Sequence, residues 1–282
     1  MKRKHKNISI AALVAAMALS GWVLPACATK KNEVLVPDNV AGGNVDSDEE
    51  NVTEREPGEN DQTVLVTPPK VESAQYIKVT SAGVNIRAGA GTGYSSLGTA
   101  ETDTLYAMCG KTGEWYKTYY KNRTAYISAK YCSPVHMDKS ADERIEQIIV
   151  EGCKCLGVKY VYGAVRYHDG NGNRLSGFTT SAFDCSSLMQ YMFKLGAGVN
   201  LQVNTRTQIY QGTTVKKSAL KRGDLMFFTN ASRKNNTGVE RVGHVAMYLG
   251  GNYILHTASD YAKIEQISDT RWGYYIQSQR ML

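Results

Sequence analysis

Beyond residue 24 the sequence lacks any apolar run long enough to cross a bilayer, and its six cysteines lack the spacing of a zinc site. Cys153 and Cys155 are two residues apart on a predicted helix, so their side chains point to different faces. We therefore predict no further membrane-spanning helix, no metal and no other cofactor. The 282 residues suffice for two ordinary domains, each with a sizeable core.

The N-terminus has the pattern of an export signal. A basic segment, Met1–Lys6, precedes an apolar stretch from Ile8 to Leu24, and Ala26 then precedes Cys27. The last residues resemble a bacterial lipobox, which implies removal of residues 1–26 and lipidation of Cys27. The alternative is ordinary signal cleavage beside an incidental cysteine. The pattern predicts an exported, membrane-anchored lipoprotein of the cell envelope.

Charge is distributed unevenly along the chain. Residues 28–75 carry a net charge of −7, whereas residues 76–282 carry +10. The segment 27–75 is too polar to bury a core, and its self-repulsion predicts an extended, disordered linker. A basic folded part suits an anionic partner, such as cell-wall carboxylates or lipid head groups. Nucleic acid is not expected as a partner of an exported lipoprotein.

Residues 76–133 contain short alternating segments separated by turn signals, a pattern typical of a small all-β barrel. The order Val84-Asn85-Ile86-Arg87, Gly113-Glu114-Trp115-Tyr116-Lys117 and Ala125-Tyr126-Ile127-Ser128 resembles a bacterial SH3-like domain. The resemblance implies a domain that binds cell-wall peptides or forms a wall of a neighbouring active site. A purely structural spacer is the alternative.

Cys185 stands at the start of a predicted helix. Asp184 is a suitable N-cap, apolar residues follow at helical spacing from Leu188, and Gly196 and Gly198 end the pattern. The helix dipole and free amide groups favour a thiolate in the first turn. A buried, inert thiol is the alternative.

Two histidines flank a predicted hairpin. Gly250 and Gly251 indicate its turn, and a three-residue loop would place His244 directly opposite His256 on one face. A two-residue loop would place them on opposite faces. We expect His244 to act as the base for Cys185 and His256 to orient His244. Two structural strand histidines, or a metal site formed with Cys185, are the alternatives.

Residues 140–282 resemble the NlpC-type cell-wall cysteine peptidases. The matching residues are Tyr160-Val161-Tyr162-Gly163, Phe183-Asp184-Cys185-Ser186, Arg206-Thr207, Arg222-Gly223-Asp224-Leu225, Gly243-His244-Val245 and His256. The resemblance implies an α+β, papain-like fold with helices packed on an antiparallel sheet. It assigns a catalytic triad to Cys185, His244 and His256, and substrate contacts to Tyr160, Asp184 and Ser186.

The resemblance implies an endopeptidase that cuts peptidoglycan stem peptides, often between γ-D-glutamate and the diamino acid. An amidase or acyltransferase with the same triad, or a non-catalytic wall-binding lipoprotein, are the alternatives. Two segments, Val165–Ser181 and Thr229–Arg241, are longer than is usual in the family. We expect these two segments to affect which substrate is bound more than the catalytic chemistry.

Three local expectations complete the sequence analysis. The Asp184 carboxylate beside the nucleophile suggests a receptor for the free ammonium of a released stem peptide, although Asp184 could serve only as a cap. Ser140 is expected to cap the first helix in a capping box with Glu143. Cys109 and Cys132 could form a disulfide in an exported protein.

Overall fold

The computed structural model describes residues 73–282. The signal segment, Cys27 and nearly all of the predicted linker therefore lie outside the described residues. Within the described part, no helix has the length and apolar character needed to cross a membrane.

The first half of the described chain is an all-β domain, as its alternating pattern predicts. In β7, for example, Ala125 and Ile127 are buried between partly exposed neighbours. The domain contains eight strands: β1 Ser73–Val79, β2 Val84–Arg87, β3 Ser96–Ala100, β4 Leu105–Ala107, β5 Lys111–Thr112, β6 Trp115–Tyr120, β7 Arg123–Ser128 and β8 Cys132–Asp138. Five of these strands form one sheet in the order β3-β2-β7-β6-β5.

The second half packs helices on an antiparallel sheet, which confirms the predicted papain-like α+β class. Its elements are α1 Glu143–Lys154, β9 Lys159–Tyr160, β10 Ala182–Phe183, α2 Cys185–Ala197, α3 Thr205–Gln208, β11 Thr213–Val215, β12 Leu225–Phe228, β13 His244–Gly250, β14 Tyr253–Ala258, β15 Tyr261–Gln266, α4 Asp269–Gly273 and β16 Tyr275–Arg280. Short 3-10 helices cover Ala129–Tyr131, Lys217–Ala219 and Gly238–Arg241.

The two halves share one sheet. Its main order is β11-β16-β12-β13-β14-β15-β4-β1-β8, and the junction is a pair between Ile264 of β15 and Leu105 of β4. Strands from the all-β domain thus extend the sheet that carries the histidines. Because β1 begins at Ser73 and β8 ends at Asp138, the all-β part is wider than the predicted 76–133.

Two predicted helix ends differ from the structure. The N-cap of α1 is Asp142, whose side chain accepts from the amide of Arg144, so the capping box expected at Ser140 is wrong. Helix α2 continues through Gly196 and ends at Gly198, which has φ +70°. A Cβ at Gly196 would collide with the backbone of Ile148, so this glycine permits close packing of α1 on α2.

Candidate active site

Helix α2 begins at Cys185, with Asp184 at its N-cap, as the sequence predicts. The amide of Ser187 donates to Asp184 Oδ1 at 2.8 Å, and the amide of Asp184 donates to Ser187 Oγ at 2.9 Å. These reciprocal bonds satisfy two backbone donors that a helix start leaves open. The cap therefore fixes the direction of the Cys185 side chain.

The Cys185 thiol is buried beside the first residue of β13. The backbone amides of Val245 and Ser186 lie close enough to the sulfur to lower the pKa of the thiol, so Cys185 faces the start of β13. Burial raises the pKa of the thiol to about 12, and the Asp184 carboxylate acts in the same direction. The two amides oppose this rise without cancelling it. These surroundings oppose the thiolate that the helix start favours, so Cys185 needs a base.

The hairpin that carries both histidines has a different turn from the one expected. Gly250 pairs with Tyr253, so the loop has two residues, Gly251 and Asn252, both at positive φ. A two-residue loop alone would place the histidines on opposite faces of the sheet. A β-bulge between Tyr248 and Gly250 adds one residue to β13 and restores the shared face.

The bulge also changes how the two histidines face each other. Tyr248 pairs with Ile254, and continuing this register places Ala246 opposite His256. The predicted direct opposition of His244 and His256 is therefore wrong by two residues. Diagonal neighbours on one face still come within reach of ring side chains. His244 Nε2 lies 3.0 Å from His256 Nδ1, so the predicted partnership of the two imidazoles is present.

A further hydrogen bond extends this pair to Glu265. His256 Nε2 lies 3.0 Å from Glu265 Oε1, and Arg271 Nη2 lies 3.1 Å from the same oxygen. Glu265 pairs with Ile254 across β14 and β15, which puts it on the face of His256. The sequence analysis did not identify Glu265 or Arg271.

The carboxylate at the end of this series fixes the tautomers. Ionised Glu265 can only accept, so His256 donates from Nε2 and its Nδ1 accepts from His244 Nε2. His244 Nδ1 then keeps its lone pair, and within residues 73–282 it makes no hydrogen bond. A group in this state can accept the proton of a neighbouring thiol.

Burial determines the resting charges of the series. It lowers the pKa of His244 well below the ordinary value, helped by the charges of His256 and Arg271. Burial also lowers the pKa of His256, against the opposing effect of the hydrogen bond that His256 donates to Glu265. Desolvation would raise the pKa of Glu265, but the hydrogen bond from His256 and nearby positive charge hold it at about 2. At neutral pH the thiol and both imidazoles are neutral, and Glu265 carries the charge.

The alternative of a metal site at Cys185, His244 and His256 does not fit this geometry. Both ring nitrogens of His256 are engaged, one with His244 and one with Glu265. A metal ligand must direct a free lone pair at the ion. Within residues 73–282, no group of three acidic, histidine or cysteine side chains is arranged around a common point.

The Tyr160 hydroxyl lies within electrostatic range of Cys185 and Asp184. Burial raises the pKa of its hydroxyl to about 12, with contributions from Cys185 and Asp184. These contributions place the phenol among the groups of the cleft. The amide of Val161 donates to the carbonyl of Phe183, which ties the Tyr160 segment to the strand before α2. Tyr160 is thus a neutral hydroxyl donor beside Cys185.

Asp184 and Ser186 also lie in the cleft, but a second residue that the sequence analysis missed is bound to both. Arg166 Nη2 lies 2.8 Å from Asp184 Oδ2 and 3.2 Å from Ser186 Oγ. Arg166 comes from the long segment Val165–Ser181. The chain itself thus supplies a cation to the Asp184 carboxylate, for which a substrate cation was expected.

The remaining cysteines lie away from this series. Cys109 and Cys132 are half-buried and are not joined by a disulfide, and Cys153 and Cys155 are buried thiols. Burial raises the pKa of Cys132 to about 11. Reactivity is therefore not favoured at Cys132 by its surroundings.

Two parts of the chain match known families. Residues 157–281 match the NlpC/P60 family, and residues 82–133 match the bacterial SH3 domain. Both matches agree with the resemblances stated from the motifs.

Three curated relatives illustrate the similarity. Over 115 residues the chain is 35% identical to the probable endopeptidase NlpC homolog of Haemophilus influenzae, covering 40% of this chain and 57% of that protein. Over 114 residues it is 36% identical to the peptidoglycan endopeptidase RipA of Mycolicibacterium smegmatis, covering 40% and 21%. Over 185 residues it is 27% identical to the γ-D-glutamyl-L-lysine dipeptidyl-peptidase of Bacillus subtilis, covering 64% and 55%. The chain thus spans only part of the length of these relatives.

Proposed function

Because residues 157–281 belong to the NlpC/P60 family and residues 82–133 to the bacterial SH3 domains, we propose that this chain is a cysteine peptidase of the cell wall. Its substrate is a peptidoglycan stem peptide, and the bond hydrolysed is the one between γ-D-glutamate and the diamino acid. The observation that carries the proposal is the hydrogen-bonded series His244–His256–Glu265, which begins on the strand that faces Cys185.

In the first half of the reaction, His244 Nδ1 takes the proton of the Cys185 thiol. The thiolate attacks the γ-carbonyl of D-glutamate, and the tetrahedral intermediate collapses to a thioester as the amine of the diamino acid leaves with the proton from His244. The imidazolium that forms on His244 is stabilised by its hydrogen bond to His256, which Glu265 holds in place and whose charge Glu265 compensates. The second half repeats these steps with water, which hydrolyses the thioester to a carboxylate.

Three further residues are assigned to the substrate in this proposal. The Tyr160 hydroxyl and the backbone amide of Cys185 are the donors that we assign to the developing oxyanion. Asp184 and Ser186 shape the acyl side of the cleft through their contacts at the start of α2. The burial of Asp184 and Ser186 supports a shaping role for both.

The substrate class follows from the relatives and from charge. Two of the relatives are named for peptidoglycan or for a γ-D-glutamyl bond. The net charge of +10 on residues 76–282 suits an acidic cell-wall polymer. Export and anchoring through Cys27 would bring the domain to that polymer, and the acidic linker would set its distance from the membrane.

The proposal is tested by incubating the purified protein with peptidoglycan in ¹⁸O-labelled water and analysing the products by mass spectrometry. The expected products carry a free amine on the diamino acid and one ¹⁸O atom in the γ-carboxylate of D-glutamate. Cys185→Ser should give neither product. Cys132→Ser, which changes a half-buried cysteine of β8, is the matched control and should act as the wild type does.

Other outcomes would identify the alternatives. Release of intact stems with a free L-alanine amine would indicate an amidase. Transfer of the acyl group to an added amine, without ¹⁸O incorporation, would indicate an acyltransferase. Retention on peptidoglycan with no new termini would indicate a binding protein, and any of the three results would contradict the proposed hydrolysis.

A further inference from the structure

Arg166 is held at the nucleophile by contacts on every side of its guanidinium. Its Nη2 lies 2.8 Å from Asp184 Oδ2 and donates to Ser186 Oγ at 3.2 Å. Its Nε donates to the carbonyl of Val203 at 2.8 Å, and its Nη1 donates to the carbonyl of Ala164 at 2.6 Å. The Arg166 side chain is 20% exposed, so it is not fully enclosed by these contacts.

The Asp184 carboxylate has no oxygen left open. Oδ1 accepts from the amide of Ser187 at 2.8 Å and from Ser186 Oγ at 2.9 Å. Oδ2 accepts from the amide of Gly163 at 3.2 Å and pairs with Arg166. A substrate ammonium could reach Asp184 only by displacing Arg166 from its four contacts, which would leave a buried guanidinium without its counter-charge.

The L-alanine nitrogen of a stem peptide occurs in two chemical forms. In a stem peptide, L-alanine precedes γ-D-glutamate, and its amine is a free ammonium once the stem has been released from the sugar. In stems that are still joined to the glycan, the same nitrogen is part of a neutral amide. An ammonium would face Arg166 as a like charge, whereas the oxygen of an amide could accept a hydrogen bond from the guanidinium.

We propose that Arg166 occupies the place of a substrate cation beside Cys185, so that the enzyme selects stem peptides whose N-terminal amine is acylated. This inference rests on the proposed peptidase function and names the substrate form that the site accepts. The substrate is then the intact wall, or fragments that keep the sugar, and released peptides with a free L-alanine amine are poor substrates.

The test compares L-Ala-γ-D-Glu-diamino acid with its N-acetyl form. The wild type should hydrolyse the acetylated peptide with a kcat/KM at least about tenfold higher, because the free ammonium meets the Arg166 charge. Arg166→Gln should bring the two values within about threefold of each other, and Arg166→Lys should keep the preference because it keeps the charge. Arg144→Gln, which removes an arginine paired with Asp142 at the start of α1, should leave the ratio unchanged.

Binding to Cys185→Ala, measured by calorimetry, separates this inference from the proposed reaction. Tighter binding of the acetylated peptide would support the role of Arg166 even if the wild type cleaved neither peptide, in which case the proposed bond would be wrong. Tighter binding or faster hydrolysis of the free amine would overturn the role of Arg166. An unchanged ratio in a folded Arg166→Gln variant would do the same.

Discussion

His256 and Glu265 are joined by a hydrogen bond of 3.0 Å between Nε2 and Oε1. This bond determines which ring nitrogens of the two histidines carry protons. The ionised carboxylate forces His256 to donate toward it, so the lone pair that remains on His244 lies at Nδ1. Without Glu265, the proton between the two imidazoles could sit on either ring. The carboxylate also compensates the positive charge that His244 gains when it takes the thiol proton.

Glu265→Gln should lower kcat by about tenfold to a hundredfold, as expected for a group that only orients an imidazole. The acid limb of the kcat/KM profile should also move to lower pH. Removing the negative charge takes away the group that raises the pKa of His256. It also leaves Arg271, whose charge lowers the pKa of both histidines, without its counter-charge. The measurement is kcat and kcat/KM across the pH range.

Glu151→Gln is the matched control, because Glu151 is also ion-paired, with Lys154 on α1. It should change neither rate nor profile. A fully active Glu265→Gln variant with an unshifted acid limb would show that Glu265 has no part in catalysis. Reduced stability with normal kinetics of the folded fraction would assign it a structural role only.

Replacing His244 should reduce turnover more than replacing His256. His244→Ala should abolish turnover because no other group can take the thiol proton, whereas His256→Ala should retain a residual rate, with a loss of about 10²- to 10⁴-fold. Water can partly replace an orienting group beside Glu265. Steady-state kinetics of both variants, with circular dichroism as a fold check, provide the measurement. Equal losses, or a larger loss at His256, would mean that the roles are reversed.

Alkylation of Cys185 should report the resting protonation state. With the pKa of the thiol raised to about 12 by burial, the rate with iodoacetamide should rise roughly tenfold per pH unit through the neutral and mildly alkaline range. Peptide-resolved mass spectrometry separates Cys185 from the other cysteines. A rate that is flat through neutral pH would indicate a preformed thiolate–imidazolium pair and would contradict the neutral resting state.

The sequence predicted the parts of the site that depend on local patterns. The N-cap at Asp184 and the shared face of His244 and His256 both follow from short-range rules, and the structure contains both. The exact register did not follow, because the bulge after Tyr248 compensates the two-residue turn and neither is visible in the alternation of residues. The shorter turn and the bulge each shift the register by one residue. Together they leave His244 and His256 on the same face of the sheet, so the two imidazoles still meet.

The residues that were missed depend on long-range arrangement. Glu265 lies in an alternating segment in which Ala262 and Ile264 are buried, so a strand could be predicted there. Its proximity to His256 requires the register of β14 on β15, which the sequence does not state. Arg166 lies in an irregular segment with no periodicity, and only the folded cleft shows its pairing with Asp184.

Cys27→Ser should release the protein from membranes while leaving its peptidase activity unchanged. The prediction rests on the lipobox pattern, because acyl chains on Cys27 would supply the anchor. Fractionation of cells that produce each form, followed by immunoblotting, measures the distribution. A Cys27→Ser protein that still sediments with membranes would contradict the lipid anchor.

The last prediction concerns Arg222, which ties the all-β domain to the peptidase half. Its Nε lies 2.7 Å from Glu146 Oε1, its Nη2 donates to the Tyr76 hydroxyl at 2.7 Å, and its Nη1 donates to the carbonyl of Leu249 at 2.8 Å. Arg222→Ala leaves the half-buried Glu146 without its partner, so we expect the free energy of unfolding to fall by about 3 kcal/mol. Tyr76→Phe removes a single hydrogen bond and should lower it by about 1–2 kcal/mol.

Denaturant unfolding of both variants and of the double variant tests whether the two sites are coupled through this hydrogen bond. If Arg222 and Tyr76 act together, the free energy of unfolding of the double variant should fall by less than the sum of the two single decreases. Arg144→Ala, at a largely exposed pair, should leave the free energy of unfolding unchanged within error. Additive losses for Arg222 and Tyr76 would contradict the coupling, and the pairing of β4 with β15 would then be the main connection between the two halves.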